Sequence, residues 1–597
     1  MPDPMNVFEH QRFRLRTPEG ERVEKSFREL LTEPDAPYAL DYAQAFYDVA
    51  ALNLMSFLAQ WLFEPADAAE LAGRIAAPMT DAEFEARVAP WRERFALTGD
   101  GPRFMQAPAP FDEKKAEGLE VAVFISARGD RQFLHRADAD WAVSPEQAGL
   151  FLFARNTFYE GTGGRGYQKG TNGDTPVRVL VTDPGPDGTL WLRRTIWLNV
   201  LSRAQQREYA GAYADPHALR PGDYDGLFWA DPPEADVPVG GITLRAGLGW
   251  MTAYHWLWYE KGEGICPVTG ERVEGLVARK ASKKSTGIAY GTKGDVESGA
   301  RADRLFRHPN VPSEKLYDRK TGDVTGERPF LVQRIEGITE AIGAAFFGGL
   351  SDRDRAAYTL APVVAQLSAS PLRRWFLREG RKPGAFVFGF HMLSKQKNVH
   401  GGIEQDTFYL PLLGDDPAQR ARLMETGARL MHEASVFASK VSEELRKAVR
   451  RTQGVDAELK GVNGKLKLQE DGPFRLEDKR KNLRDKPNPL KNPDGGIPFG
   501  RDTLAAFWRA VQGHLIDYAG RIADVAGRGP DALVAEETVL KAGWEETVIR
   551  EVWQQYQPVF EHYSTLPRTM PYAHAARKML YKEISKARSV KPEPADA

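Results

Sequence analysis

The alternation of apolar and polar residues predicts short strands and helices over the first part of the chain. Residues 13–27 alternate in polarity around a Pro-Glu-Gly turn, which is typical of a β-hairpin. Residues 42–63 and 66–75 repeat apolar side chains at helical spacing, and a Thr-Asp-Ala-Glu capping box predicts a further helix over 81–95. Apolar runs predict strands over 119–125, 177–182 and 190–199. With a middle segment of predicted short strands and long loops, these elements indicate one large mixed α+β domain, residues 1–412.

Beyond residue 412 the pattern changes to long helical repeats. They occupy four segments: 417–451, 501–526, 531–562 and 570–587. In the second segment, apolar residues recur at spacings of three and four and therefore share one face of the helix: Ala505, Trp508, Val511, Leu515, Tyr518 and Ile522. We therefore predict a four-helix bundle over residues 413–597, with a polar, basic and proline-rich surface insertion near 452–500. The predicted fold class is α+β: a large mixed α+β N-terminal domain followed by this C-terminal bundle.

Composition is typical of a folded protein from a reducing compartment. Of the 597 residues, 42% are hydrophobic, and no run approaches the ~20 apolar residues that a membrane helix requires. The single cysteine, Cys266, excludes an internal disulfide framework. We expect a cytoplasmic protein that has no membrane partner.

Positive charge is concentrated in three segments, although the formal net charge is −1. Residues 371–397 carry seven cations and one acid, and residues 460–491 carry ten cations and five acids. The third cluster comprises Arg279, Lys280, Lys283 and Lys284. Separated basic patches on a chain of neutral overall charge are typical of nucleic-acid binding, and solvated surface faces are the alternative interpretation.

A run rich in glycine suits close approach to an anion. Six glycines lie between Gly161 and Gly173, with Arg165 and Lys169 among them. Glycine leaves backbone N–H groups accessible, so they can contact phosphates at main-chain distance. The spacing also satisfies G-x-G-x-x-G, but Pro176 and a predicted strand follow in place of the helix that a dinucleotide site requires. The run predicts contact with an anionic polymer or a phosphate, and a hairpin connection without a ligand stays open.

Common catalytic signatures are missing from the sequence. It contains no H-E-x-x-H, no P-loop and no G-x-S-x-G motif. The turn Cys266-Pro267-Val268-Thr269-Gly270 has the shape of a zinc knuckle, but one thiolate cannot complete a zinc site. We therefore predict no catalytic residue, no metal and no cofactor. Two alternatives stay open: a metal- or nucleotide-dependent nucleic-acid enzyme using Asp352, Asp354 and scattered histidines, and an RNA-binding scaffold.

Several short motifs occur in the same order as in a known family. They are P-M-T-D-A-E-F from Pro78, A-P-W from Ala89, R-F-M-Q from Arg103, the glycine-rich run, R-T-I-W-L-N-V-L from Arg194, P-Y-A-H from Pro571 and L-Y-K from Leu580. In this combination the chain resembles the CasA family, the large subunit of the type I-E CRISPR surveillance complex Cascade.

The resemblance implies a non-catalytic subunit of an RNA-guided interference complex that acts in antiviral defence. Such a subunit recognises the protospacer-adjacent motif (PAM) on double-stranded target DNA, initiates unwinding and R-loop formation, and helps to recruit a helicase-nuclease. Its other partners are the CRISPR guide RNA and the remaining Cascade subunits. The protein then reads only a short motif, while base pairing with the guide reads the target sequence.

The resemblance also implies roles for individual residues. It assigns DNA and PAM contact to Gly161, Gly163, Gly164, Arg165, Gly166, Lys283, Lys284, Gln396 and Lys397. Gln396 corresponds to the residue that separates the two DNA strands. Which of Lys280, Lys283 and Lys284 enters the minor groove stays open. The segment near the 5′ end of the guide RNA corresponds to Phe124, Ser126 and Arg128.

Overall fold

A computed structural model describes most of the chain. The described residues are 5–42, 44–115, 117–119, 140–158, 178–209, 212–235, 237, 240–251, 253–285, 306–317, 321, 324–329, 358–394, 399–410, 416–452, 458–459, 466–467, 499–566 and 569–588. The chain divides into two compact units. The first unit consists of Met1–Arg334 and Ala344–Arg420, and the second consists of Ile335–Gly343 and Ala421–Ala597. In the described ranges, none of the helices has the length and apolar character needed to cross a bilayer.

The secondary structure of the described residues mixes helices and strands and ends in long helices, which confirms the predicted fold class. The α-helices are α1 (Phe27–Thr32), α2 (Ala45–Leu62), α3 (Ala68–Ala76), α4 (Asp81–Val88), α5 (Pro145–Phe158), α6 (Leu192–Leu198), α7 (Arg203–Glu208), α8 (Leu244–Leu248), α9 (Pro362–Ala365), α10 (Ser370–Arg378), α11 (Pro417–Thr452), α12 (Phe499–Ala526), α13 (Pro530–Ser564) and α14 (Met570–Ala587). The strands are β1 (Phe13–Arg16), β2 (Arg22–Lys25), β3 (Pro37–Leu40), β4 (Glu117–Gly118), β5 (Arg178–Thr182), β6 (Leu190–Trp191), β7 (Ala253–Ile265), β8 (Arg272–Ser285), β9 (Ser313–Tyr317), β10 (Val324–Pro329), β11 (Tyr358–Thr359), β12 (Gly384–Ser394), β13 (Val399–Tyr409), β14 (Glu458–Leu459) and β15 (Leu466–Lys467).

The strands in the described ranges assemble into small sheets. Their strand orders are β2-β1-β3-β6, β10-β9-β11, β13-β12-β5, β4-β8-β7 and the pair β14-β15. The predicted N-terminal hairpin is confirmed, because β1 pairs antiparallel with β2 from Phe13 opposite Lys25 to Arg16 opposite Arg22. Gly20 closes its turn at φ +87°, a conformation that favours glycine.

The helix predicted over 42–63 is confirmed as α2, and the core of the first unit surrounds it. Every residue from Val49 to Leu62 is buried, so the helix is covered on all its faces. The ring of Phe57 lies within 6.5 Å of the rings of Phe104, Phe153 and Trp229, centroid to centroid. The predicted helix over 66–75 is likewise present, as α3.

The predicted helix over 81–95 is too long. Thr80 does accept a hydrogen bond from the N–H of Glu83 at 3.2 Å, but α4 ends at Val88. Pro90 lacks the N–H that would continue the helical hydrogen bonds, and the carboxylate of Glu83 pairs with Arg74 instead of completing the capping box.

The predicted strand over 190–199 is wrong: only the two residues of β6 are extended, and α6 follows. A short apolar run suits a buried helix as well as a strand, so the pattern alone could not distinguish them. In the helical conformation Arg193 and Arg194 both reach the carboxylate of Asp35, at 2.6 and 2.7 Å. The middle segment also differs from prediction, because β7 and β8 form a long ribbon of 13 and 14 residues.

The four predicted C-terminal helices are confirmed as α11 to α14. The predicted stripe on α12 is buried at Trp508, Val511, Leu515, Tyr518 and Ile522. Trp544 of α13 lies at the centre of the bundle, where its Nε1 donates to the carbonyl of Ala434 at 3.1 Å. Of the insertion near 452–500, β14 and β15 form a two-stranded pair, and most of the other residues lie outside the described ranges. The predicted strand over 119–125 also lies outside them beyond Leu119.

Candidate nucleic-acid interface

Most of the predicted contact residues lie outside the described part of the chain. These are Phe124, Ser126, Arg128, Gly161, Gly163, Gly164, Arg165, Gly166, Gln396 and Lys397, together with the alternative acidic pair Asp352 and Asp354. The backbones of Lys283 and Lys284 are described, within β8. Two stretches of the predicted site lie outside the described residues: the glycine-rich segment (residues 159–177) and the β12–β13 connection (residues 395–398). The structure does describe the strands to which these two stretches are joined.

The sheet β13-β12-β5 receives both stretches at one end. β5 begins at Arg178, directly after the glycine-rich segment, and Arg178 is opposite Phe388 in the antiparallel strand β12. β12 continues past this point to Ser394, whose partner in β13 is Val399. The additional length of β12 amounts to about 20 Å at ~3.3 Å per residue. The glycine-rich segment and the connection that contains Gln396 are thus attached at the same end of one sheet.

Arg178 is a buried cation at the first position of β5. Its residue exposure is 2%, and its Nη1 donates to Oδ1 of Asn53 in α2 at 3.3 Å. The same nitrogen lies 3.3 Å from Nε2 of His308. Loss of hydration lowers the pKa of the Arg178 guanidinium to about 9. Burial, followed by the charge of Arg178, holds the pKa of His308 well below its ordinary value, so this imidazole is neutral.

Two asparagines close the edge of β5 that faces away from β12. The side chain of Asn199 accepts from the N–H of Val181 at 2.9 Å and donates to its carbonyl at 2.7 Å. The carbonyl of Asn310 accepts from the N–H of Val179 at 2.7 Å, and its side chain donates to the Val179 carbonyl at 3.1 Å. The two amides also meet, because Asn310 donates to Oδ1 of Asn199 at 2.7 Å. Side chains thus satisfy backbone groups that a further strand would otherwise pair.

Some of the cations in the basic segment 371–397 form ion pairs within the protein. Arg381 donates to both oxygens of Asp183 at 3.0 Å, and Arg194 lies 3.3 Å from the same carboxylate. Burial raises the pKa of Asp183, and the two guanidiniums oppose this shift. Arg378 pairs with its neighbour Glu379 at 3.0 Å. These arginines stabilise the fold, so the segment offers fewer cations to a phosphate backbone than its composition predicts.

The two candidate lysines lie on the ribbon formed by β7 and β8. Lys283 is opposite His255, and Lys284 is opposite Tyr254. The Tyr254 ring lies 5.8 Å from that of Phe228, centroid to centroid, which fixes this end of β7 to the core. The ribbon therefore holds the backbone of both lysines next to the chain's exit at the C-terminal end of β8.

The R-F-M-Q motif fastens this ribbon to the core. The side-chain amide of Gln106 accepts a hydrogen bond at Oε1 from the N–H of Leu257 in β7, at 2.9 Å. Arg103 donates to the Leu257 carbonyl at 3.1 Å, and its guanidinium lies 4.4 Å from the ring centroid of Trp256. The N–H of Ala107 donates to the carbonyl of His255 at 2.8 Å. The motif thus positions the strand that pairs with the lysines.

The turn at Cys266 is folded by hydrogen bonds within the chain. The Gly270 N–H donates to the Cys266 carbonyl at 2.8 Å, and Gly270 has φ +74°. Burial raises the pKa of the Cys266 thiol, opposed by hydrogen bonds from Thr269 and Val268. Among the described residues no group of three or more His, Cys, Asp or Glu side chains is arranged to hold a metal ion.

The second unit carries a groove lined by aromatic and cationic side chains. It has a volume of about 450 Å³ and is lined by Trp553, His574, Arg577, Lys578 and Tyr581. The Trp553 and Tyr581 rings are 6.5 Å apart, and Tyr581 is 67% exposed. No ion pair among the described residues involves the arginine or the lysine of this groove, whereas Lys586 on the same helix pairs with Glu583. The groove presents aromatic faces and cationic side chains to solvent, and the Arg577 guanidinium lies 4.6 Å from the ring centroid of Phe560.

Sequence reasoning did not identify the polar residues at the base of the glycine-rich segment. They are Asn53, Arg178, Asn199, His308 and Asn310. Asn199 belongs to the R-T-I-W-L-N motif, and Arg178 follows the glycine-rich segment directly, so both were adjacent to features already singled out. Nothing in the sequence pattern connects these two with the other three.

Comparison with known proteins gives a family match over nearly the whole chain. Residues 14–562 match the model of the family described as CRISPR-associated protein Cse1. Among solved structures, Cse1 from Acidimicrobium ferrooxidans has a TM-score of 0.58 and 16% identity, and the match covers 98% of this chain and 99% of that chain. Thermobifida fusca Cse1 has a TM-score of 0.61 and 14% identity, with 99% of each chain covered.

A chain of a structure titled "CRISPR RNA-guided surveillance complex" is also similar. Its TM-score is 0.56 and its identity is 13%, and the match covers 97% of this chain and 100% of that one. At these identities the structural matches establish a shared fold, while the family model carries the assignment of the chain to a family.

Proposed function

The chain belongs to the family of CRISPR-associated protein Cse1, the large subunit of type I-E Cascade, and from this we propose that it is a non-catalytic subunit that recognises a PAM on double-stranded DNA. It acts with a guide RNA and the other Cascade subunits, initiates duplex unwinding, and helps to recruit a helicase-nuclease. A structurally similar chain belongs to an RNA-guided surveillance complex, which supports these partners. The larger unit is the one to which we assign PAM recognition, and we propose a cytoplasmic location.

One observation carries most of this proposal: the glycine-rich segment and the β12–β13 connection join the same end of the β13-β12-β5 sheet. A backbone contact and a strand-separating side chain must act on neighbouring base pairs, so their segments need a common rigid support. The minor groove distinguishes A·T from T·A poorly, and a reader of this kind therefore tolerates several related motifs. Opening one base-pair step costs about 1.4 kcal/mol of stacking.

Binding of the assembled complex to a matched duplex tests the proposal. We expect Lys284→Ala and Gln396→Ala each to weaken motif-dependent binding about tenfold, while the amount of bound guide RNA is unchanged. Lys284→Ala should also reduce the log–log salt slope by about 0.9, because one cation that offsets the charge of the DNA backbone is lost. Lys261→Ala, at the other end of the same ribbon, and Gln405→Ala, in β13, are the matched controls. Wild-type affinity in both test variants would contradict the proposal.

The groove on α13 and α14 supports a contact with DNA that has already been opened. Exposed aromatic faces beside cationic side chains bind single strands by stacking and charge, at about 1–3 kcal/mol per stacked base. We expect Tyr581→Ala to weaken binding of a single-stranded oligonucleotide and Tyr581→Phe to retain it, measured by fluorescence anisotropy. Lys586→Ala serves as the control, since Lys586 already pairs with Glu583 at 2.7 Å. Equal affinities for the Ala and Phe variants would exclude stacking on this ring.

A divalent-metal cleavage assay separates this proposal from the nuclease alternative. If the purified chain cleaves nucleic acid, and Asp352→Asn or Asp354→Asn abolishes this cleavage, then the protein is an enzyme and the proposal of a non-catalytic recognition subunit is wrong. The RNA-scaffold alternative predicts guide binding with equal affinity for all DNA duplexes, whatever their motif.

A further inference from the structure

The chain that leaves β8 returns to the described residues next to β5. Phe306 packs against Tyr213, with ring centroids 5.6 Å apart, and its ring would lie only 2.1 Å from a Cβ added at Gly247. Four residues later, Asn310 hydrogen bonds along the edge of β5. The sequence between Phe306 and Asn310 is therefore fixed at both ends, and it lies against the strand that begins where the glycine-rich segment ends.

Arg178 connects this returning chain to the helix at the centre of the first unit. Its Nη1 is shared between Asn53 of α2 and His308, at 3.3 Å from each acceptor atom. Nδ1 of His308 lies 3.2 Å from the backbone nitrogen of Asn310. A neutral imidazole accepts at one nitrogen only, so the ring accepts from Arg178 or from Asn310 according to its tautomer, and it packs between the two residues in either case.

On these contacts we infer that Arg178 is a positioning residue for DNA recognition: through His308 and Asn310 it holds the return from the lysine-bearing ribbon against the strand that supports the glycine-rich segment and the β12–β13 connection. The inference rests on the proposed function of those segments. All of its members are buried, at 2% exposure for Arg178, 5% for His308 and 2% for Asn310.

The test compares two buried arginines in the assembled complex. Arg178→Met keeps the length of the side chain and removes its donors, and Arg178→Lys restores one cationic donor. Arg193→Met is the matched control, because Arg193 is 3% exposed but bonds Asp35 and the carbonyls of α3. The first readout is the ratio of affinities for a matched duplex with and without the preferred motif. The second is amide hydrogen exchange in β5, in β12 and in residues 306–311.

We expect Arg178→Met to reduce the affinity ratio about tenfold, Arg178→Lys to restore part of it, and Arg193→Met to leave it unchanged even if it lowers the melting temperature. We also expect Arg178→Met, and not Arg193→Met, to accelerate exchange in β5 and residues 306–311 together. An unchanged ratio, or the same fall in both Met variants, would overturn the inference. A wild-type complex without motif preference would instead refute the proposed function, and independent exchange of β5 and residues 306–311 would refute the coupling itself.

Discussion

Replacing Asn199 with Ala should be among the most damaging single changes in the first unit. The side chain forms hydrogen bonds with both backbone groups of Val181, at 2.9 and 2.7 Å, and accepts a third from Asn310. Val181 is fully buried, and these groups point away from β12, so the pairing with β12 cannot satisfy them once the amide is removed. Each buried backbone group left unpaired costs about 1–3 kcal/mol. The expected loss in the free energy of unfolding is therefore about 2–6 kcal/mol.

Urea unfolding, together with exchange of the Val181 amide hydrogen, measures this loss. Asn156→Ala is a suitable control, because Asn156 is equally buried but donates to the carbonyl of Leu152 one helical turn earlier, at 3.2 Å. That carbonyl keeps its helical partner, so we expect this variant to lose no more than about 1 kcal/mol. If Asn199→Ala costs no more than Asn156→Ala, then the amide is not what closes the edge of β5.

Three further predictions concern pH and packing. The pKa of His308 is depressed in the folded protein, so the unfolded chain binds the proton more strongly. The free energy of unfolding should therefore fall as the pH decreases below about 6.5. His308→Gln should flatten this pH dependence, measured by urea titrations. Hydrogen bonds from Arg429 lower the pKa of Glu537 to about 2. The stability that this ion pair gives the second unit should therefore be lost as the pH falls from about 4.5 towards 2. Arg429→Ala should abolish this pH-dependent loss, followed by far-UV circular dichroism. Gly264→Ala would place a Cβ 2.6 Å from a backbone carbonyl oxygen and should cost about 1–3 kcal/mol, whereas Gly73→Ala, with open space around it on α3, should not destabilise the protein in the same thermal unfolding assay.

The long helices could be predicted because periodicity and length agree over many turns. In α12 the apolar positions repeat without interruption from Trp508 to Ile522, and no strand of that length would bury them all. The run at 190–199 could not be assigned in this way. Its apolar residues suit either conformation, and the helix that forms is stabilised by Asp35, which lies more than 150 positions earlier and binds two of its arginines.

The candidate site was predictable only in part, for a related reason. Composition indicated the glycine-rich segment and the lysines, because both depend on residue type within a short window. The polar residues around the start of β5 depend on contacts between remote positions: Arg178 and Asn53 are 125 positions apart, and Asn310 and Asn199 are 111 apart. Buried asparagine and histidine have no local sequence signature, so only the fold reveals them.

The order in which the strands of the β13-β12-β5 sheet are synthesised has a consequence for biogenesis. All five residues of β5 are buried, yet its partner in β12 begins only at Gly384, about 200 residues later. At a translation rate of about 5–20 residues per second, an apolar strand waits on the order of 10–40 s at the ribosome before it can pair. We expect a product that is truncated before Gly384 to be aggregation-prone, because β5 would then lack its partner strand.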